Sequence, residues 1–226
     1  MDAKKLENIL KELGVNRPVF HSEADFQFAL AWAIQKENSK YKIRLEQPYV
    51  LEDKTIYVDI VVETDKKKYI PIELKYKTAN TVEKNKSFKI KNESFYLKYQ
   101  GAQDISRYDC FKDVSRLEDL MEDKHVNFEN GYTVWLTNDH LYWNGSREGV
   151  ISENFSIQEG GPKINSGKPM RWKGGSEGTK KGREKAIKLK NQYEIEWKPY
   201  SDISKECEKN SEFKYAVLYI PREVSI

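Results

Sequence analysis

Asp59, Glu73 and Lys75 are the residues of this sequence whose types and spacing are best suited to chemistry. They lie in the stretch T-I-Y-V-D-I-V-V-E-T-D-K-K-K-Y-I-P-I-E-L-K-Y-K, residues 55–77, in which two apolar, β-branched runs flank a polar tip. This pattern predicts a β-hairpin with strands over residues 56–62 and 69–76. Because side chains alternate along a strand, we expect Glu73 and Lys75 to lie on the same face.

An ionised carboxylate inside an apolar strand is costly unless it is paired or coordinates a metal ion. The residues alone leave two interpretations open. Asp59, Glu73 and Lys75 form a salt bridge within the hairpin, or the two carboxylates hold a divalent cation beside the lysine.

Helices are predicted ahead of this hairpin. Apolar residues at helical spacing indicate a first helix that stops at Gly14. A second helix is predicted to begin at the N-cap residue Ser22, with Asp25 three residues later in the manner of a capping box. Glu23 falls in the first turn of that helix, where the helix dipole alone would favour a carboxylate.

The remaining elements are predicted on both sides of the hairpin. A strand over residues 43–50 precedes it, and a long helix over about residues 95–122 leads to a strand over residues 131–137. Gln100, Gln103 and Arg107 share one face of that long helix. Turn signals at residues 138–139 and 144–145 predict a further hairpin around residues 140–143, and residues 193–198 and 215–220 are strand-like.

The pattern D-(x)13-E-L-K, preceded by a helix with Glu23 and followed by a helix with Gln103, resembles the core of the PD-(D/E)XK nuclease superfamily. The resemblance covers about residues 20–137, and the string F-H-S-E-A-D-F-Q is similar to bacterial members; Val58 replaces the proline of the named pattern. It implies a single α/β domain over residues 1–226. Its mixed central β-sheet would be flanked by helices, as a restriction-endonuclease-like αβββαβ core with a C-terminal β extension.

This resemblance implies metal-dependent hydrolysis of phosphodiester bonds, in DNA rather than RNA. Asp59, Glu73 and the backbone carbonyl of Leu74 would hold Mg²⁺, with Mn²⁺ as a substitute. Lys75 would orient or deprotonate the attacking water, or stabilise the transition state by its charge. Glu23 would bind a second metal ion or steer the lysine, and Gln103 would touch the site or the substrate.

Two basic segments have an open interpretation. Residues 84–98 combine lysines with Phe88, Phe95, Tyr96 and Tyr99, and residues 158–190 are basic, rich in glycine and poor in aliphatic residues. Each is either a solvated loop or an arm that follows phosphates with its cations. The second segment is not expected to build a core.

The composition of the sequence limits which partners, metal sites and cellular location we expect. The net charge of +3 does not by itself demand a nucleic-acid partner. Cys110 and Cys207 lack metal-type spacing, and the histidines are too scattered for a zinc cluster. The first residues lack the apolar run of a signal peptide, and no stretch approaches the length of a membrane span. We therefore expect a cytoplasmic protein without a membrane partner.

Two alternatives to a nuclease stay open at this point. The chain would be a non-catalytic module that holds DNA or RNA, or a partner-dependent subunit of a defence or repair complex. An assay with and without Mg²⁺ separates the first from an enzyme. Exposed apolar surface on the amino-terminal helix, or co-purification with another chain, would favour the second. A homodimer is compatible with either interpretation.

Overall fold

The computed structural model describes residues 1–51, 54–83, 86–145, 149–161, 163–164 and 167–222. Its helices are α1 (Ala3–Asn16), α2 (Glu23–Glu37), α3 (Gln103–Met121) and the single turn α4 (Glu177–Lys180), with a 3₁₀ turn at Glu153–Phe155. Its strands are β1 (Lys42–Leu51), β2 (Lys54–Glu63), β3 (Tyr69–Lys77), β4 (Phe88–Ile90), β5 (Glu93–Phe95), β6 (Asn130–Thr137), β7 (Trp197–Asp202) and β8 (Glu212–Pro221). No helix in these ranges is long and apolar enough to cross a membrane.

The centre of the molecule is a six-stranded mixed sheet in the order β1-β2-β3-β6-β8-β7. The contact between β3 and β6 is parallel, and the other neighbouring strands are antiparallel. The predicted mixed central sheet with helices is therefore confirmed. β4 and β5 form a separate two-stranded hairpin between β3 and α3.

The two faces of the sheet pack against different helices. Ile72, Leu74 and Tyr76 of β3 are buried in one core with the apolar residues of α1 and α2. A second core joins α3 to Trp135 and Leu218 from β6 and β8. Since side chains alternate along β3, its residues at positions 73 and 75 face α3, and they are the ones that carry charge.

The amino-terminal helices follow the sequence closely, with one correction. Ser22 caps α2 as predicted, since its Oγ accepts a hydrogen bond of 3.1 Å from the Asp25 amide. The expectation that Gly14 ends the first helix is wrong, because α1 continues to Asn16. A Cβ at position 14 would collide with the carbonyl oxygen of Tyr200 in β7, so the glycine permits close packing rather than ending the helix.

The carboxyl-terminal half departs further from expectation. The long helix does not start at about residue 95: Phe95 ends β5, and α3 begins at Gln103. Residues 140–143 form turns rather than a strand pair, and the strand predicted over residues 193–198 lies later, as β7. In each case the local pattern was right about an apolar segment, and contacts distant in sequence decided its conformation.

The glycine-rich basic segment contributes to the core, contrary to expectation. Met170, Ile187 and Leu189 are buried, and Trp172 stacks on Tyr108 of α3 with ring centroids 5.5 Å apart. Arg183 forms a paired contact with both carboxylate oxygens of Asp109 on the same helix, at 2.8 and 2.7 Å. The described part of this segment is thus anchored to α3. Pro162, Asn165 and Ser166 lie outside the described residues.

Candidate metal site

Asp59 and Glu73 lie where β2 and β3 separate. The antiparallel ladder between these strands ends at the pair Ile60 and Ile72, so the next pair in the same register would be Asp59 and Glu73. β3 continues beside β6 on its other side as far as Lys77. The two carboxylates therefore lie where β3 continues beyond the end of its ladder with β2.

Carboxylates replace the missing backbone partner along that stretch. The Leu74 amide donates to Asp59 Oδ2 at 2.6 Å, and the Tyr76 amide donates to Glu23 Oε2 at 2.7 Å. Buried strand amides need an acceptor, and these acids provide it. α2 thus delivers Glu23 to the same strand edge as Asp59, which places the predicted leading glutamate beside the hairpin carboxylates.

Two residues of α3 complete the arrangement. Lys75 Nζ lies 2.5 Å from Asp113 Oδ2. Arg116 Nη2 lies 2.6 Å from Glu73 Oε1 and 2.9 Å from Asp113 Oδ1. Glu73 and Asp113 are almost fully buried, at 2% and 4% exposure, so these are ion pairs largely removed from water.

Sequence reasoning missed Asp113 and Arg116. Asp113 occupies a buried position of α3, between Cys110 and Leu117 in the apolar stripe. An acid at a buried helical position is the same signal that singled out Asp59 in its strand. Arg116, one turn later, is its natural i,i+3 partner.

We call these residues together the acid cluster, and it contains more acids than bases. Its carboxylates are Glu23, Asp59, Glu73 and Asp113, and its cations are Lys75 and Arg116. With the carboxylates ionised, four negative charges face two positive ones. Buried charge of one sign in excess is costly, and binding a cation would relieve it.

The surroundings shift the pKa values of the hairpin residues. Burial raises the pKa of Asp59, against the opposing effect of the hydrogen bond from the Leu74 amide. Burial and the negative charge of Asp113 raise the pKa of Glu73 well above its ordinary value. Burial alone would lower the pKa of Lys75, but its contact with Asp113 outweighs that effect and raises it. The lysine is therefore protonated at neutral pH.

Gln103 is not brought to the cluster by its observed contacts. As the first residue of α3, it donates to Asp139 Oδ2 at 2.8 Å and to Tyr99 Oη at 3.0 Å. Gln100 accepts from the Thr78 amide just after β3. Because α3 starts later than predicted, the middle of this helix, rather than its beginning, lies against Glu73 and Lys75.

Gln27 is a further residue that sequence reasoning missed. It lies one turn after Glu23 on α2 and donates to the Asp59 carbonyl oxygen and to Glu46 Oε1, both at 2.7 Å. Glu46 has a left-handed backbone, with φ of 52°. The amide of Gln27 thus fixes α2 over the position where β2 leaves β3.

The oxygen donors of Asp59, Glu73 and the Leu74 carbonyl suit a metal ion that needs few protein ligands. In the described part of the chain, no three or more His, Cys, Asp or Glu residues are grouped so as to hold an ion. Mg²⁺ is usually bound by one or two carboxylates, with waters and substrate phosphates completing its shell. Asp59 and Glu73 would be the next residue pair beyond the end of the β2–β3 ladder, so this pair, with the Leu74 carbonyl, fits that requirement.

The lysine-rich segment before α3 is only partly an exposed arm. Phe88 and Phe95 stack on each other inside the β4–β5 hairpin and are buried. Tyr96 and Tyr99 are about half exposed, at 44% and 55%, and Lys89 is also exposed. Neither open interpretation, a solvated loop or a phosphate-following arm, describes the two phenylalanines, because both are buried. Lys84 lies outside the described residues.

The carboxyl-terminal segment brings cations towards α3. Its anchor Asp109 lies one helical turn before Asp113. Exposed cations of this segment that form no ion pair within the described ranges are Lys168, Arg171, Lys181, Lys185 and Lys188. The segment thus adds unpaired positive charge on the side of the molecule that carries α3.

Compared with protein-family models, with curated proteins and with solved structures, the chain has no significant match to any of them.

Proposed function

We propose that this protein is a Mg²⁺-dependent nuclease that hydrolyses phosphodiester bonds in DNA, with Mn²⁺ able to replace Mg²⁺. The observation that carries this proposal is the meeting of four carboxyl groups, of which Glu73 and Asp113 are buried and Glu23 and Asp59 partly buried, with two cations, one of them the protonated Lys75. The resemblance of D-(x)13-E-L-K to the PD-(D/E)XK superfamily, with its restriction-endonuclease-like αβββαβ core, agrees with that chemistry.

Each residue has a definite task in this proposal. Asp59, Glu73 and the Leu74 carbonyl would hold the metal ion, which when bound would supply a water of lowered pKa and positive charge against the scissile phosphate. Lys75 keeps its proton beside Asp113 and stabilises the charge that develops on the phosphate oxygens. Of the roles open to the lysine, proton removal from water is therefore the least suitable, since a general base must be unprotonated.

Nucleic acid as the partner is supported by the distribution of positive charge. The unpaired cations of the carboxyl-terminal segment are anchored next to α3 by Arg183. Lysines and arginines that contact phosphates give binding that weakens as salt rises. The half-exposed rings of Tyr96 and Tyr99 add surface on which unpaired bases can stack. DNA rather than RNA is implied by the resemblance.

A cleavage assay tests the proposal. Linear and circular DNA are incubated with the wild type, with Lys75→Ala and with Lys198→Ala, each with Mg²⁺ and with EDTA. Lys198 is a matched control because it is also ion-paired, to Glu7 at 2.8 Å, but on the far edge strand β7. We expect cleavage only with Mg²⁺, retained by Lys198→Ala and lost by Lys75→Ala. Equal cleavage by both variants would overturn the assignment.

A non-catalytic nucleic-acid-binding module is the first alternative. It is favoured by the hydrogen bonds that Asp59 and Glu23 already make to strand amides, because these give both acids a purely structural use. In that case the wild type would bind DNA in a salt-dependent manner and leave it intact under every metal condition of the same assay.

A subunit that works only with a protein partner is the second alternative. Phe28 and Trp32 of α2 are 62% and 66% exposed beside a groove of about 510 Å³ between α1 and α2. Exposed aromatic side chains of this size are typical of interaction surfaces. Mg²⁺-dependent cleavage by the purified chain alone would exclude this alternative.

A further inference from the structure

Arg116 contacts two buried carboxylates of the acid cluster, those of Glu73 and Asp113. We propose that this arginine replaces a second metal ion, so that the cluster takes a single divalent cation, between Asp59 and Glu73. The inference rests on the proposed metal-dependent function and specifies how many ions that function uses.

The contacts of Arg116 are those of a bridging cation. Its Nη2 lies 2.6 Å from Glu73 Oε1 and 2.9 Å from Asp113 Oδ1. In two-metal sites, ions about 4 Å apart share carboxylates in this way and clamp both reacting oxygens. Here a guanidinium joins the two acids instead, and its charge is fixed to α3.

The carboxylate oxygens that remain suffice for one ion. Both oxygens of Asp113 contact cations, Lys75 and Arg116. Asp59 Oδ2 accepts from the Leu74 amide, and Glu73 Oε1 is held by Arg116. Within the described residues, Asp59 Oδ1 and Glu73 Oε2 have no amide or cation contact of this kind. Two carboxylate oxygens with waters and phosphate oxygens satisfy a single Mg²⁺.

This geometry also decides between the two roles open to Glu23. Its Oε2 accepts from the Tyr76 amide at 2.7 Å, and its charge acts on Lys75. A carboxylate fixed to the strand backbone beside the lysine is placed to steer that lysine. Glu23 is thus a positioning residue rather than a ligand of a second ion.

The experiment counts ions rather than turnover. Mn²⁺ is titrated by calorimetry into the wild type, Arg116→Lys and Arg116→Gln in the absence of DNA. We expect one ion per chain for the wild type and for Arg116→Lys, which keeps the charge. Arg116→Gln frees Glu73 and Asp113 and should bind two. Arg183→Gln is the matched control, because it also breaks an arginine–carboxylate pair on α3, with Asp109, and should bind one.

Two ions bound by the wild type would overturn the inference, as would a single ion bound by Arg116→Gln with unchanged affinity. If Arg116→Gln is unfolded without metal, we expect millimolar Mn²⁺ to restore its folded circular dichroism spectrum, since the ion then takes the place of the guanidinium. Failure of Mn²⁺ to restore it would also count against the inference. No binding by any variant, the wild type included, would reject the metal-dependent function itself.

Discussion

Asp113 and Glu118 are both buried acids of α3, yet their surroundings differ. Glu118 is 3% exposed, and within the described residues it accepts from uncharged groups: the Lys190 amide, the backbone and side-chain amides of Asn191 and the Tyr193 hydroxyl, at 2.8 to 3.1 Å. Asp113 is 4% exposed, and its partners in the described part of the chain are the cations Lys75 and Arg116.

Under the proposed function, this difference separates Glu118, a structural acid, from Asp113, an acid that positions Lys75. The donors of Glu118 complete its hydrogen bonding and tie the end of the basic segment to α3, so its charge is satisfied locally. Asp113 shares Arg116 with Glu73, and the four carboxyl groups of the acid cluster outnumber its two cations. Burial alone therefore does not identify a site, whereas burial combined with shared, insufficient counter-charge does.

The largest expected effect is a lower rate of DNA cleavage by the variant Asp113→Asn. Removing this charge releases Lys75 from its fixed position, and removal of one preorganised charged group typically lowers a rate by about 100- to 1,000-fold. Mg²⁺-dependent cleavage is measured at equal folded concentration, checked by circular dichroism. A rate within about threefold of the wild type would show that Asp113 is as purely structural as Glu118.

Glu118→Ala is expected to affect stability and leave metal binding unchanged. The variant leaves the Lys190 and Asn191 amides and the Tyr193 hydroxyl without their acceptor, which should lower the free energy of unfolding by about 3 kcal/mol. Urea denaturation measures this decrease, and Mn²⁺ titration of the folded variant provides the contrast. Weakened Mn²⁺ binding would mean that the two acids are not independent.

The next largest effect is expected on the pH dependence of Mn²⁺ affinity, which should distinguish the acid cluster from Glu118. The raised pKa of Glu73 means that protons compete with the metal ion. Affinity should therefore rise with pH by up to about tenfold per pH unit until Glu73 is ionised.

Without metal, the stability of the fold changes with pH in the opposite direction. A carboxyl pKa that is raised in the folded state stabilises the fold at low pH, and this contribution is lost as the pH rises through that pKa. Calorimetry from about pH 5 to about pH 8 measures the Mn²⁺ affinity. An affinity that does not change with pH would contradict the predicted competition between protons and the metal ion.

The smallest expected effect concerns the segment that Glu118 anchors. In Lys181→Ala and Lys185→Ala combined, DNA binding should weaken a few-fold, and the slope of log affinity against log salt should fall by about one for each removed lysine that pairs with a phosphate. Fluorescence anisotropy at several salt concentrations measures the slope. The same change at Lys4 and Lys11 of α1 is the control, and an equal effect there would remove any special role of the segment.

The hairpin part of the site could be predicted from the sequence, because its signal is local. Alternating apolar residues set the strands, and the acids that interrupt them, Asp59 and Glu73, are visible as exceptions. Glu23 was placed correctly because the cap at Ser22 fixes where α2 begins. These inferences need only a few neighbouring residues.

The α3 part of the site could not be predicted in the same way. Which face of α3 meets β3 depends on packing between segments about forty residues apart, as the contact between Glu73 and Arg116 shows. The later start of that helix moved Gln103 to Asp139. The prediction that the basic segment builds no core was wrong for a related reason. Met170 and Ile187 are isolated apolar residues in the sequence, and their burial depends on pairing with each other and on α3.

Calorimetric titration of Mn²⁺ into the wild type and into Asp59→Ala is the most direct test of the central claim that Asp59 and Glu73 hold a divalent cation. We predict binding by the wild type that Asp59→Ala abolishes while keeping its folded circular dichroism spectrum. Titration of Lys198→Ala, with its intact acid cluster, should match the wild type. No binding by the wild type, first without and then with DNA, would contradict the claim. The carboxylates would then be a structural salt bridge, and the binding module would be the better account.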